Sequence, residues 1–197
     1  MRAAWIALSI AIGVGIATGS TNLPTTVTDT LTAIDSVPTR TDLDLAFQND
    51  PALALTTLVQ VANDANFPDV GVRLRAIHAL AKYCTASPCA ASDVAHTTVT
   101  SVISSAQAET AGSPLLLLRA AIETLGPMGV SNDVGVLVPL LDHDSRDIRA
   151  ATARALRDLC NATAITPLRV RYAKEPTDQV RLAISEALRI LDQCTVN

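Results

Sequence analysis

A nine-residue pattern returns four times in this chain, and nothing else constrains the fold as strongly. It reads VRLRAIHAL from Val72 to Leu80 and LRAAIETLG from Leu118 to Gly126. It returns as IRAATARAL from Ile148 to Leu156 and as VRLAISEAL from Val180 to Leu188. The matching leucines, Leu80, Leu125, Leu156 and Leu188, lie 45, 31 and 32 residues apart. Self-similarity at such a period means stacked supersecondary units that share a continuous core, a solenoid and not a closed globule. Within each copy a branched or long apolar residue and a leucine fall on one helix face, with alanines between them that let neighbouring helices approach closely.

Start and stop signals divide the rest of the chain into helices. Thr41-Asp42-Leu43-Asp44 reads as a capping box for a short helix running to Gln48. Asp50-Pro51 is a helix start, an Asx cap followed by proline at the first helical position, and its apolar stripe runs to Asp64. The first patterned helix then extends to Tyr83. A second pair spans Ser92 to Ala108 and Ser113 to Leu125, with Gly126-Pro127 as its end. The third pair covers Val134 to Leu141 and Ser145 to Leu159, and the fourth Ala162 to Ala173 and Thr177 to Leu191. No segment sustains period-two alternation, so the fold class is all-α. The long 45-residue spacing places an irregularity between Cys84 and Ala108.

Composition enters where it bears on compartment. Arg2, an uncharged apolar stretch from Trp5 to Ala17 and the small residues Ala17 to Ser20 give residues 1–19 the form of a signal peptide. Those 13 apolar residues are too few for a stable membrane span, because a hydrocarbon core of roughly 30 Å needs about 20 helical residues. Residues 20–38, rich in Thr, Ser and Asp, read as a flexible lead, with a short helix possible from Val27 to Ile34; residues 39–197 form the repeat domain. Four cysteines in an exported chain suggest two disulfides. Cys84 and Cys89 bracket a turn, and Cys160 and Cys194 end neighbouring helices, which gives the pairs 84–89 and 160–194. Their spacing matches no zinc motif, so no metal is expected. Removing Arg2 with the leader leaves 14 basic against 19 acidic side chains, a net charge of −5. That balance argues against nucleic acid as a partner, because phosphate neutralisation dominates such binding.

The turns Leu141-Asp142-His143-Asp144-Ser145-Arg146-Asp147 and Glu175-Pro176-Thr177-Asp178, with the arginine-bearing, alanine-rich runs after them, resemble HEAT repeats. The similarity is to the short bacterial form also found in phycobilin-lyase-like proteins, and it covers Pro51 to Leu191. The resemblance implies an α-solenoid of about four helical hairpins with a right-handed superhelix. It implies structural arginines that bond to the turn of a neighbouring repeat, at Arg73, Arg149 and Arg181, with Arg119 one position late in the second copy. Their acidic partners, sought at Asp69, Asp144 and Asp178, fall at unequal distances from them. It also implies that the second helices line a concave, partner-binding face. The outward positions there are Arg75, His78, Lys82, Glu123, Arg154, Arg157, Glu186 and Arg189, a mixed but arginine-leaning stripe suited to an acidic or polar protein.

No catalytic constellation is present: GxSxG, HExxH and a phosphate-cradling glycine loop are all lacking. Asp142-His143-Asp144 is the one cluster with acid–base character, and its place in a helix-to-helix turn makes helix capping its expected role. His96 is expected as an isolated packed or surface histidine. The resulting expectation is a non-catalytic, cofactor-free exported scaffold for protein–protein interaction, periplasmic or extracellular. Two alternatives are a bilin-lyase-like enzyme or chaperone and a structural component of an envelope assembly.

Overall fold

The computed structural model describes residues 22–33 and 37–194, and every regular element among them is helical. The segment read as a signal peptide, residues 1–19, lies outside the described residues. The α-helices are α1 (Thr25–Thr32), α2 (Arg40–Ala46), α3 (Pro51–Asn63), α4 (Val70–Leu80) and α5 (Val94–Ala106). They continue as α6 (Gly112–Met128), α7 (Val134–Leu137), α8 (Arg146–Asp158), α9 (Ile165–Lys174) and α10 (Asp178–Cys194). Short 3-10 turns precede α7 and α9 and extend α4 and α7.

Consecutive helices pack as pairs, α3 with α4, α5 with α6, α7 and its extension with α8, and α9 with α10. The second members α4, α6, α8 and α10 also pack on one another in order, so they form one continuous row. The patterned segments all lie in this row. Its core is a single buried cluster running from Val27 to Leu191. Leu80, Leu125 and Leu156 have no exposed surface, while Leu188, in the last described helix, is only partly buried. α8 sits between two neighbours and buries Ala150, Ala151, Ala153 and Ala155 together with Thr152, whose hydroxyl donates back to the Ile148 carbonyl at 2.8 Å.

Caps explain where the helices begin. The Asp50 carboxylate accepts from the Ala52 and Leu53 N–H groups at 3.0 Å, with Pro51 at the first helical position. Asp69 accepts from Val72 N–H at 3.0 Å and Asp93 from Ala95 N–H at 2.9 Å. Each satisfies a donor that the first helical turn would otherwise leave open.

The structure corrects three local expectations. The lead is not wholly flexible: α1 forms within it, burying Val27 and Leu31 against α4 and so extending the second-helix row at its N-terminal end. The capping box of α2 is made by Thr39 and Asp42, not by Thr41; Asp42 accepts from Thr39 N–H at 2.8 Å, and Thr39 Oγ1 accepts from Asp42 N–H at 3.2 Å. Gly126-Pro127 does not end α6, which runs on to Met128. A Cβ at Gly126 would stand 2.9 Å from Ala155 Cα, so this glycine allows α6 and α8 to meet backbone to backbone. Its signal was one of close approach, which a sequence cannot distinguish from termination.

Both cysteine pairings form. The Cα atoms of Cys84 and Cys89 are 5.1 Å apart, and those of Cys160 and Cys194 are 5.7 Å apart. The first bridge closes the loop between α4 and α5 that accounts for the long 45-residue spacing. The second ties the end of α8 to the end of α10.

Candidate interaction surface

The eight positions expected from the sequence to face a partner lie on the second helices and their extensions: Arg75 and His78 of α4, Lys82 of the 3-10 turn that extends it, Glu123 of α6, Arg154 and Arg157 of α8, and Glu186 and Arg189 of α10; none of the eight is buried. Bonds between helices bring several together. Thr124 Oγ1 gives its proton to the Ala120 carbonyl at 2.7 Å, so it accepts from His78 Nδ1–H at 2.9 Å and joins α4 to α6. Arg157 donates to Glu186 at 3.1 Å and joins α8 to α10, while also holding Asp158. Glu123 is engaged by Arg119 at 2.8 Å, one helical turn away. Arg75, Lys82, Arg154 and Arg189 form no ion pair among the described residues. The stripe is therefore partly self-neutralised, and its unmatched charge is all positive.

His78 has a bonded Nδ1 and an Nε2 with no partner among the described residues. Burial lowers its pKa below the ordinary histidine value, with Glu123 opposing and Arg75 reinforcing that shift. It is a neutral imidazole near neutral pH.

Behind this face lies a buried polar network at the joint between the third and fourth repeats. Arg149 is 7 % exposed and Glu175 2 % exposed. Arg149 Nε and Nη2 donate to the two Glu175 oxygens at 2.8 and 2.9 Å, a parallel two-bond pair. Arg149 Nη1 donates to the carbonyls of His143 and Asp144 at 2.8 Å each, clamping its own turn. Glu175 also accepts from Arg171 Nε at 2.8 Å and from Thr177 N–H at 3.0 Å. Burial pushes the Glu175 carboxyl up, but the hydrogen bonds from Arg149, Arg171 and Thr177 outweigh it and hold the group at about 2. Arg171 and Lys174 further hold Asp142 at 3.0 and 2.9 Å.

One arginine thus grips its own inter-helix turn and the turn of the next repeat, and a family comparison agrees with that geometry. The model for HEAT repeats matches residues 105–189. Residues 105–189 are similar to HEAT repeats. No curated protein and no solved structure matches it. HEAT repeats mediate protein–protein interaction and are typically not enzymes.

Within the HEAT array the four repeat arginines do unequal work. Arg149 alone makes the full network. Arg73 donates to the Ala62 carbonyl at 3.0 Å, while its buried Nε has no partner among the described residues. Arg119 makes a surface pair with Glu123, and Arg181 lies over the Tyr172 ring, 4.8 Å from its centre. The acid that answers Arg149 is Glu175, not Asp69, Asp144 or Asp178. It sits in the turn before Asp178, and its only sequence signal is a glutamate between a basic helix end and a proline.

The Asp142-His143-Asp144 turn caps by an unexpected group. His143 Nδ1 accepts from Ser145 N–H at 3.0 Å, which leaves Nε2–H to donate to the Glu109 carbonyl at 3.1 Å. The imidazole, not a carboxylate, serves the start of α8 and links it to the loop after α5. His96 is not isolated: its Nε2 lies 2.8 Å from Asp133 Oδ2, both residues being buried, and the same oxygen accepts from Val130 N–H at 2.7 Å. This pair ties α5 to the turn after α6. Among the described residues no group of three or more His, Cys, Asp or Glu gathers as a metal site, and no helix is long and apolar enough to cross a membrane.

Proposed function

We propose that the protein is a non-catalytic, exported scaffold whose second-helix row docks an acidic segment of a protein partner. The observation that carries this reading is the unmatched positive charge of the row. Arg75, Lys82, Arg154 and Arg189 lack ion-pair partners among the described residues, although the chain as a whole carries a net charge of −4. Solvent-exposed cations left unpaired on a rigid, continuous surface favour encounter with a complementary negative surface and fix its register. The docking face is the concave one expected of such arrays. The two disulfides support export, because cysteine pairs persist in oxidising compartments and are rare in reducing ones. The leader at residues 1–19 supports the same reading.

The test compares capture of partners from envelope extracts by the wild type and by a variant with Arg154, Arg157 and Arg189 reversed to glutamate. A protein held by the wild type is expected to be released by the variant and retained when exposed Arg169 of α9 is reversed instead. Equal retention by all three proteins defeats the proposal. N-terminal sequencing of secreted material is expected to begin at residue 20; an intact Met1 overturns the export reading.

A further inference from the structure

The unmatched cations at the N-terminal end of the row border a cavity, and this goes beyond the docking role proposed above. The cavity has a volume of about 390 Å³ and is lined by Val37, Pro38, Leu43, Arg75, His78, Ala79 and Lys82. That volume falls among small-molecule sites, which are mostly apolar with a few convergent polar groups. Its walls divide by chemistry. Val37, Pro38, Leu43 and Ala79 supply an apolar side, and Val37 is 75 % exposed, a large apolar surface left in water. Arg75 and His78 of α4, three residues apart, and Lys82 of the 3-10 turn that extends it supply the polar side. The side chains of Arg75 and Lys82 have no hydrogen-bond or ion-pair partner among the described residues, while the Lys82 carbonyl accepts from the Arg40 guanidinium. The nearest acid of the row, Glu123, is already held by Arg119 at 2.8 Å.

The geometry points to a binding site for an aliphatic monocarboxylate, its headgroup held by Arg75 and Lys82 and its chain laid along Val37, Pro38, Leu43 and Ala79. A single anionic headgroup answers the two free cations, and a planar carboxylate matches the fork of the Arg75 guanidinium. An alkyl chain removes the apolar wall from water. An ammonium headgroup would meet only like charge among the described lining residues. His78 adds no donor in its neutral form, because its one ring proton is committed to Thr124.

The test is an amide NMR titration of the full chain with octanoate, octylammonium, acetate and N-acetyl-leucine as probes. Octanoate is expected to shift the amides of Val37, Leu43 and Ala79 in a saturable way. Acetate is expected to bind more weakly for want of a chain, and octylammonium not to bind there. The double variant Arg75→Gln, Lys82→Gln removes only unpaired surface charge and should keep the wild-type spectrum elsewhere. It is expected to weaken octanoate by about tenfold or more, the effect of losing charge-assisted bonds. The inference is overturned if octanoate shifts no cavity amide or if octylammonium binds equally well. It is also overturned if the folded double variant binds octanoate unchanged, or if N-acetyl-leucine binds more tightly, which would make the occupant a peptide terminus. None of these readouts involves the envelope partner, so either proposal can fail while the other stands.

Discussion

The two halves of the array solve one problem differently. From α7 to α10 the repeats are evenly spaced and joined through buried charge, with Arg149 and Glu175 sharing two hydrogen bonds across the turn and Cys160 bridging to Cys194. From α1 to α6 the same second-helix row continues, but its joint is the loop from Cys84 to Cys89, its repeat arginine Arg73 makes a single bond to the chain, and α1 covers the end. The HEAT-repeat match spans residues 105–189, which runs from the end of α5 through α6 and across most of the even C-terminal half. Regular spacing allows the same residues to meet in successive turns. Where an insertion breaks the spacing, apolar stacking and the neutral His78–Thr124 bond keep α4 on α6 without a buried ion pair, and unpaired cations border a cavity. Unmatched surface charge is shared by both halves, Arg75 and Lys82 in one and Arg154 and Arg189 in the other, so what differs along the array is how its joints are made.

The largest test of this contrast removes the charged joint. Glu175→Ala leaves the Arg149 guanidinium buried without its carboxylate and is expected to destabilise by about 4 kcal/mol, whereas Arg73→Ala is expected to cost about 1–2 kcal/mol. Chemical denaturation of both variants reads the difference, and equal losses would erase the distinction between the halves.

The disulfides should differ in the same sense. By loop length alone, the bridge with a sequence separation of 34 stabilises by about 4 kcal/mol and the one with a separation of 5 by about 2 kcal/mol. Replacing each pair by serines and comparing denaturation midpoints checks the order; a larger loss at 84–89 would refute it.

Acid sharpens the comparison further. Glu175 is held at about 2, below its ordinary value of 4.5. A depressed carboxylate stabilises fully above its unfolded pKa, and that contribution is lost as pH falls through the folded one. Stability is therefore expected to drop by about 3 kcal/mol between about pH 5 and pH 2 from this group alone. Glu175→Gln should flatten that part of the profile, and an unchanged pH dependence would show that the joint does not titrate in this way.

The smallest effect belongs to Gly126→Ala. A methyl group improves helix propensity by about 1 kcal/mol, but here it would meet Ala155 Cα at 2.9 Å, a backbone atom that cannot rotate away. Overpacking costs about 1–3 kcal/mol. A net loss of up to about 2 kcal/mol is expected by thermal melting, and a stabilised variant would mean that α6 and α8 part easily.

Much of the helical layout was legible because its signals are local. Asp50-Pro51 starts α3 through bonds reaching only two and three residues ahead. Even the cysteine pairs could be read, since one closes a turn and the other joins the ends of equivalent helices. Errors arose where one residue type serves two purposes. Gly126 looked like a terminator and proved to be a contact, and Thr41 looked like a cap that Thr39 supplies. The eight candidate face residues were assigned to second helices through the resemblance to HEAT repeats. Which of them pair with each other, as Arg157 does with Glu186, could not be read from it.

The amino-acid order alone determined that this chain forms helices, that they repeat, and where most of them begin, because helical periodicity and capping act between residues a few positions apart. Only the tertiary structure decided that Glu175 answers Arg149 across 26 residues, that His96 meets Asp133 across 37, and that Gly126 touches Ala155. Those meetings depend on how far each helix turns and slides against the next, and a repeat pattern leaves that to packing.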